Sequence, residues 1–280
     1  MNLFRIKRKI EKVLGIESKQ IFFSDQSEFK KGIECKIINS QIILRGNSKI
    51  YLDENVTIEN CKIELENSIL NIGAFSKLIG QNIICSSNST IILKNNLSIN
   101  NYDFLIEEGN LIIGEHCFLI KGSNVNRPCI NIKKGTLEIG EKNVLKSVFW
   151  LRFGGICKVG KYNCINEGTE IRSDESLVIG DFNMISYNCN IWDTNTHCRY
   201  DKETRRNFTL RDFPLIGAEF EKPITKPVVI GNDTWLGKNV TILKGCNIQD
   251  EAVIGIGAVL SNCLVPTKSA AVGNPAKIIN

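Results

Sequence analysis

The stretch that decides the fold runs from Val229 to Leu260 and reads VIGNDTWLGKNVTILKGCNIQDEAVIGIGAVL. A helix would place apolar residues three and four apart, and a half-buried strand would place them two apart. Here a large aliphatic residue returns at every sixth position, and small or polar residues follow most of these positions. The aliphatic positions are Ile230, Leu236, Ile242, Ile248, Ile254 and Leu260.

A period of six predicts a coil with three flat faces, in which each face is a short strand ending in a tight corner. Successive coils stack, the recurring aliphatic fills the interior, and the small residues permit the corners. The alternative is an ordinary β-sandwich with accidental spacing, but sandwich strands should show alternating polarity. The pattern therefore favours an all-β stacked coil.

The composition of the 280-residue chain agrees with this interpretation. The chain is rich in Ile, whose β-branched side chain suits strands, and in Asn, which tolerates left-handed corners. The same bias would also follow from the base composition of a genome. The net charge of +5 is mild and diffuse, with no basic stripe interleaved with aromatic residues, so we expect no nucleic-acid partner.

The eleven cysteines are scattered and never form a CxxC pair. A disulfide framework or a zinc site would need closer grouping, so we expect reduced thiols inside a cytoplasmic protein, and no metal. The sequence contains no apolar run long enough to span a bilayer and no signal-peptide pattern.

Residues 1–20 differ from the rest of the chain, because apolar residues recur there at helical spacing with basic residues between them. We expect a short amphipathic helix. It would either contact the anionic inner face of a membrane or cap the first open coil, and the cap is the favoured interpretation. The apolar residues are Leu3, Phe4, Ile6, Ile10, Val13 and Leu14.

Residues 21–110 show the six-residue rhythm with slips, which predicts irregular β-coils as an N-terminal extension. The sequence leaves open whether they continue the main stack or form a separate subdomain. In residues 111–280 the Ile-Gly or Val-Gly pairs at 139–140, 159–160 and 179–180 return every twenty residues. The rhythm then breaks over a charged stretch, 197–227, which predicts an extruded loop. Such loops on rigid scaffolds often carry function.

Two motifs carry a family resemblance: KPVVIGNDTWLGKNVTILKG at 226–245 and AVGNPAKII at 271–279. Both resemble hexapeptide-repeat acetyltransferases, in the branch of maltose, galactoside and surface-polysaccharide O-acetyltransferases. The resemblance covers about residues 110–280. It implies a left-handed parallel β-helix, a homotrimer, and acetyl-CoA as the acetyl donor.

Transfer of an acetyl group to a sugar hydroxyl needs a base, because an alcohol is a poor nucleophile at neutral pH. Histidine suits this role, and the chain has two. His197 stands where the family places its catalytic histidine, so it is the expected general base, whereas His116 lies in a coil corner and is expected to be structural. Asp193 is expected to orient His197 or to contact the acceptor, with a plain turn aspartate as the alternative.

The resemblance also implies binding residues. Asn166 and Asp174 match family positions that hydrogen-bond the acceptor sugar, although Asn and Asp are also common corner residues. A backbone N–H near Gly237 would stabilise the developing oxyanion. Family positions for acyl-CoA correspond to Trp235, Gly257, Ala258, Ser261, Lys268 and Lys277. Trp235 would also suit a trimer interface, and Asn262 departs from the family, where lysine is frequent.

These features predict an O-acetyltransferase that uses acetyl-CoA to modify a hydroxyl of a surface glycan, such as a capsule or a lipopolysaccharide. One alternative is N-acetylation of an amino sugar or nucleotide-sugar, which would depend less on a base. A carbonic anhydrase of this fold would need three histidine ligands, more than the two available. A structural β-helix without enzymatic activity is the remaining alternative.

Overall fold

A computed structural model describes residues 21–279, with the exception of residues 25, 87, 102, 124, 216 and 218–220. The amphipathic helix predicted over residues 1–20 lies outside the described residues. The described chain is built almost entirely from short strands, and one helix interrupts them.

In chain order the strands are β1 (Ile21–Phe23), β2 (Glu28–Lys31), β3 (Lys36–Ile38), β4 (Gln41–Arg45), β5 (Lys49–Leu52), β6 (Thr57–Glu59), β7 (Lys62–Glu66), β8 (Ile69–Ile72), β9 (Lys77–Ile79), β10 (Asn82–Ser86), β11 (Thr90–Leu93), β12 (Ser98–Asn100), β13 (Phe104–Ile106), β14 (Gly109–Ile113), β15 (Phe118–Ile120), β16 (Ile130–Ile132), β17 (Gly135–Ile139), β18 (Val144–Leu145), β19 (Val148–Leu151), β20 (Gly155–Val159), β21 (Cys164–Ile165), β22 (Glu170–Ser173), β23 (Ser176–Ile179), β24 (Met184–Ile185), β25 (Asn190–Trp192), β26 (Val228–Ile230), β27 (Trp235–Leu236), β28 (Thr241–Ile242), β29 (Asn247–Ile248), β30 (Val253–Ile254), β31 (Val259–Leu260), β32 (Leu264–Val265), β33 (Ala270–Val272) and β34 (Lys277–Ile279).

These strands form three parallel sheets that are the faces of a prism. Sheet I takes β1 and every third strand to β31, sheet II takes β2 to β32 in the same way, and sheet III takes β3 to β33. The last strand, β34, closes sheet III by pairing antiparallel with β33. Since each coil supplies one strand to each sheet, the predicted parallel β-solenoid is confirmed. Its left-handed sense remains an implication of the resemblance.

The interior is filled by the residues of the six-residue repeat. Ile191 pairs with Ile242, and Ile242 pairs with Leu260, so equivalent aliphatics stack from coil to coil. Each of these side chains is almost completely removed from water. Burial of an aliphatic side chain of this size contributes about 1.5–3 kcal/mol to stability, and each coil gains this contribution once per face.

The corners explain the abundance of asparagine. Among the described residues, 21 non-glycine residues have a positive φ, and ten of these are asparagines. A second asparagine feature lies inside one edge, where Asn163 N–H donates to Asn143 Oδ1 at 2.8 Å and Asn183 N–H donates to Asn163 Oδ1 at 2.8 Å. This buried ladder satisfies backbone groups that the corner would otherwise leave without partners. Glycine is required beside it, since a Cβ on Gly140 would lie 2.5 Å from the carbonyl oxygen of Gly160.

The strands of residues 21–110 belong to the same three sheets as the later ones. For example, β10 pairs with β7 on one side and with β13 on the other. Of the two alternatives left open by the sequence, the topology therefore favours one continuous stack. Eight of the eleven cysteines are buried as free thiols, as expected for small interior residues.

The extruded loop leaves the stack after Trp192 and returns at Val228, so it begins slightly before the predicted residue 197. An antiparallel bridge between Thr194 and Thr225 closes its neck. The loop carries helix α1 (Lys202–Asp212), which Asp201 caps by accepting from the backbone N–H groups of the first turn. Helix α1 was not predicted from the sequence, because it buries no side chain and hence shows no apolar periodicity. No helix in the described part of the chain is long and apolar enough to cross a membrane.

Candidate active site at two edges of the prism

The predicted site residues lie at the edges where one sheet turns into the next. The I–II edge carries Asp174 after β22, Asp193 and His197 after β25, and Ser261 after β31. The III–I edge carries Asn166 after β21, Gly237 after β27, and Gly257 and Ala258 before β31. Sheet I separates the two edges. Within one chain, the predicted base and three of the predicted donor residues, Gly237, Gly257 and Ala258, are therefore on opposite margins of that sheet.

His197 is exposed on the extruded loop, one residue beyond a strained position. Thr196 has a φ of 64°, which is rare for a β-branched residue. Two hydrogen bonds hold this conformation. The Thr196 N–H donates to Thr194 Oγ1 at 3.1 Å, and the Arg152 guanidinium donates to the Thr196 carbonyl oxygen at 3.2 Å. Strain of this kind persists only where the surroundings fix it, so the backbone that carries His197 is preorganised.

The Arg152 guanidinium contacts this loop and also forms a bidentate ion pair with Asp174. Its Nε donates to Asp174 Oδ1 at 3.0 Å and its Nη2 donates to Asp174 Oδ2 at 2.7 Å. The Arg152 side chain is 11% exposed and that of Asp174 is 0% exposed. The predicted acceptor ligand Asp174 is thus held in a buried, bidentate ion pair that joins the corner after β22 to the loop.

Asp193 fastens the neck of the loop to the same corner. Its carboxylate accepts from the Ser173 hydroxyl at 2.8 Å, from the Asp174 N–H at 2.8 Å and from the Glu175 N–H at 3.0 Å. Burial raises the pKa of Asp193, and these hydrogen bonds oppose the increase. The structure places Asp193 as a buried support of the loop, and a role in orienting His197 stays a prediction.

A feature that the sequence analysis missed lies on the outer face of sheet I beside this corner. Trp150, Arg172 and Trp192 occupy neighbouring strands in register. The Arg172 guanidinium lies 4.3 Å from the Trp150 ring centre and 5.3 Å from that of Trp192. Glu170 binds Arg172 at 3.1 Å and also contacts Arg127. We call Trp150, Arg172 and Trp192 the Trp–Arg–Trp ladder. The three residues are separated in the sequence by about the length of one coil, and this spacing was the signal that could have revealed them.

The remaining acceptor residue, Asn166, is half-buried. Its side-chain amide donates to the carbonyl oxygen of Ile185 at 3.2 Å, which is the contact of an ordinary corner residue. The side-chain oxygen of Asn166 takes no part in this bond. Its role in binding the acceptor sugar therefore stays a prediction.

The predicted donor residues differ in their surroundings. Gly257 has a φ of 69°, and a Cβ there would meet no atom within 4 Å, so the backbone is open to a ligand. Ala258 is buried, whereas Trp235 is 59% exposed on sheet III. At Gly237 a Cβ would lie 2.7 Å from the Ile256 nitrogen, which gives this glycine a packing reason as well.

The basic and hydroxyl residues of the predicted donor site are all exposed: Ser261, Lys268 and Lys277. Lys268 lies at the II–III edge and pairs with Glu251 at 3.5 Å. Lys277 lies on β34 opposite Val272. Asn262, the departure from the family pattern, accepts a hydrogen bond from Lys226 at the end of the loop. Among the described residues, no group of three or more His, Cys, Asp or Glu side chains is placed to hold a metal ion.

The geometry defines a class of protein: a hexapeptide-repeat β-solenoid with a histidine on a loop fixed to one edge. No model of a known protein family matches the chain. The chain is 33% identical over 144 residues to a probable acetyltransferase of Mycobacterium tuberculosis, which covers 51% of this chain and 41% of that protein. It is 27% identical over 148 residues to the galactoside O-acetyltransferase of Escherichia coli, covering 53% of this chain and 65% of that protein. The chain thus spans about half the length of these relatives.

Among solved structures, the fold is similar to a hexapeptide-repeat acetyltransferase of Vibrio cholerae in complex with acetyl coenzyme A. The TM-score is 0.40 at 23% identity, over 51% of this chain and 69% of that one. Over about half of its length the chain is thus similar in sequence to acetyltransferases, and the resemblance carried by its two sequence motifs is confirmed.

Proposed function

We propose that the chain is an acetyl-CoA-dependent O-acetyltransferase that modifies a hydroxyl of a surface glycan, with His197 as general base. The observation that carries this proposal is the fixed backbone at His197. Arg152 and Thr194 hold Thr196 in a strained conformation, which fixes the backbone next to His197 at one edge of the prism. The relationship to the galactoside O-acetyltransferase supports a sugar hydroxyl as acceptor.

In the proposed reaction the acceptor oxygen attacks the thioester carbonyl carbon while His197 takes the hydroxyl proton. The tetrahedral oxyanion would be stabilised by a backbone N–H near Gly237. The C–S bond then breaks, the acetyl group stays on the sugar oxygen, and the CoA thiolate recovers a proton from the imidazolium. Placing the thioester and the hydroxyl side by side supplies much of the acceleration.

The donor would lie along the III–I edge. The open backbone at Gly257 and the small, buried Ala258 would let a pantetheine arm run close to the main chain. Trp235 would pack against the arm, Ser261 would donate a hydroxyl, and Lys268 and Lys277 would meet the phosphates of CoA.

A homotrimer would complete this site, because it brings the III–I edge of one copy to the I–II edge of the next. Its support is an apolar row on sheet III, whose members lie in register on consecutive strands and are exposed except for the half-buried Cys164. Contiguous exposed apolar surface of this kind marks an interface. The row consists of Phe118, Val144, Cys164, Met184, Trp235 and Val253.

The test is acetyl-CoA turnover against a panel of surface glycans, with His197→Asn compared with His116→Asn. His116 has a φ of 56°, which asparagine tolerates, so the control keeps its corner. We expect loss of about 10²–10⁴ in kcat for His197→Asn and an unchanged rate for His116→Asn. A His197→Asn enzyme that retains most of its rate would favour N-acetylation of an amino sugar.

Binding of acetyl-CoA distinguishes the proposed enzyme from the alternative, a structural β-helix without enzymatic activity. A ligand that binds the folded chain raises its unfolding temperature. We expect acetyl-CoA to do so, and absence of any shift, together with absence of turnover, would favour a β-helix without enzymatic activity.

A further inference from the structure

The corner that supports His197 continues directly into the Trp–Arg–Trp ladder. Arg152 links the two: its guanidinium donates to the Thr196 carbonyl oxygen at 3.2 Å and lies 5.8 Å from the centre of the Trp150 ring. The last residue of the Trp–Arg–Trp ladder, Trp192, is followed directly by Asp193, where the extruded loop begins. A group bound at the ladder would therefore lie beside the segment that carries His197.

Around the Trp–Arg–Trp ladder, two of three arginines share one carboxylate. Three arginines face two carboxylates, Glu170 and Asp174. Asp174 uses both oxygens for Arg152, and Glu170 is shared between Arg127 and Arg172. The third nearby carboxylate, Asp193, has both oxygens occupied by the corner at residues 173–175. The arginines involved are Arg127, Arg152 and Arg172.

The Arg172 guanidinium lies mostly out of water. The Arg172 side chain is 12% exposed, and burial lowers its pKa although Glu170 opposes the decrease. A charge in such surroundings interacts strongly with an opposite charge, because little water screens it. Arg127, whose side chain is 49% exposed, is the part of the cluster that solvent reaches.

The ladder also holds hydrogen-bond donors that lack acceptors. The indole N–H of Trp150, the Nε–H of Arg172 and the indole N–H of Trp192 are buried and make no hydrogen bond within the described residues, and the same holds for the buried Oε1 of Glu170. The three donors occur on three neighbouring strands of one sheet face. Buried donors of this kind are rare, and a ligand rich in acceptor oxygens would satisfy them.

We propose that the acceptor is an acidic glycan, whose sugar carboxylate binds at Arg127 and Arg172 beside the Trp–Arg–Trp ladder while a hydroxyl faces His197. This inference rests on the proposed function and narrows its acceptor. It places the acceptor at arginines rather than at the predicted ligand Asp174, because both oxygens of the Asp174 carboxylate accept from Arg152. The two indoles hold the Arg172 guanidinium between them, so its orientation is fixed before the ligand arrives.

The first experiment uses a matched pair of acceptors: an oligosaccharide of a uronic acid, and the same oligosaccharide after reduction of its carboxylates to alcohols. We expect kcat/KM for the acidic form to exceed that for the reduced form by about tenfold to a hundredfold, as for one charge-assisted pair. Equal use of both forms would overturn the inference while leaving acetyl transfer itself established. Transfer to neither form, without binding of acetyl-CoA, would instead overturn the proposed function.

The second experiment measures binding without turnover, by titration calorimetry of the acidic oligosaccharide against the full chain. Arg127→Gln should weaken this binding by about tenfold or more and leave acetyl-CoA binding unchanged. Lys158→Gln is the control, since Lys158 pairs with Glu138 on sheet II, away from the ladder. Arg127 is on the surface, so this variant keeps the fold even where Arg172→Gln fails to fold. Equal binding by Arg127→Gln and the native chain would contradict the proposed site.

Discussion

Replacement of Arg152 by methionine is the sharpest test of how the His197 segment is held. Arg152→Met keeps an apolar stem but removes both contacts to Asp174, which is 0% exposed. Breaking a buried ion pair by removing one partner typically destabilises a protein by about 3–5 kcal/mol, because a buried charge is left without compensation. The carbonyl oxygen of Thr196 loses its charged donor in the same substitution.

The matched variant is Asp174→Asn, and the double variant completes a thermodynamic cycle. Replacing both members removes the uncompensated charge, so the double variant should be more stable than Arg152→Met alone by about 2 kcal/mol or more. Urea unfolding gives these energies. Hydrogen exchange reports the loop: the amides of Asn195 and Thr196 are protected by hydrogen bonds and should exchange about tenfold to a hundredfold faster in Arg152→Met.

Two results would refute this reasoning. The first is a coupling energy between Arg152 and Asp174 within about 0.5 kcal/mol of zero, which is the limit of additivity for independent sites. The second is unchanged exchange at residues 195–196, which would mean that the backbone before His197 is held by other contacts.

Three further predictions address the stack, the interface and the buried carboxylate. Asn163→Ala should destabilise the chain by about 1–3 kcal/mol in urea unfolding, because the Asn183 N–H loses its buried acceptor. An unchanged unfolding midpoint would mean that the buried asparagines do not stabilise the stack. Trp235→Glu should dissociate the proposed trimer in sedimentation velocity, whereas Ile156→Glu, 44% exposed on sheet II, should not; identical behaviour of the two variants would rule out the apolar row as the interface. Burial raises the pKa of Asp193, so its contribution to stability is fully present below the unfolded-state pKa of about 4 and is lost as pH rises through the folded-state pKa. The unfolding free energy of the native chain relative to Asp193→Asn should therefore fall as pH increases from about 4, and a difference that rises with pH would contradict the assignment.

Most of the fold could be predicted because one buried aliphatic residue per face marks each strand of a coil. Ile230, Leu236 and Ile242 each come from a different sheet, and each is buried, so the six-residue spacing maps directly onto the prism. Helix α1 could not be found in this way, since none of its side chains is buried and it therefore shows no apolar periodicity. The continuation of the stack below residue 110 was also undecided, because insertions shift the rhythm and only the strand register shows which residues pair.

The site was predictable only in part. The place of His197 followed from a family resemblance, and the structure adds why its backbone is rigid. Arg152 and the Trp–Arg–Trp ladder were missed, because their contacts join residues about twenty positions or more apart and depend on the register of neighbouring coils. From the sequence alone, Asp174 is indistinguishable from an ordinary polar corner residue. Its partner, Arg152, is identified only by the structure.

Acetyl transfer assisted by His197 is tested most directly by following an isotopically labelled acetyl group from acetyl-CoA into an acidic oligosaccharide by mass spectrometry. With the native chain we expect the label as an ester on a sugar hydroxyl, with one CoA thiol released for each ester formed. With His197→Asn we expect almost no label over the same period. Equal labelling by both proteins, or thiol release without any ester, would contradict the role of His197 as the base in acetyl transfer.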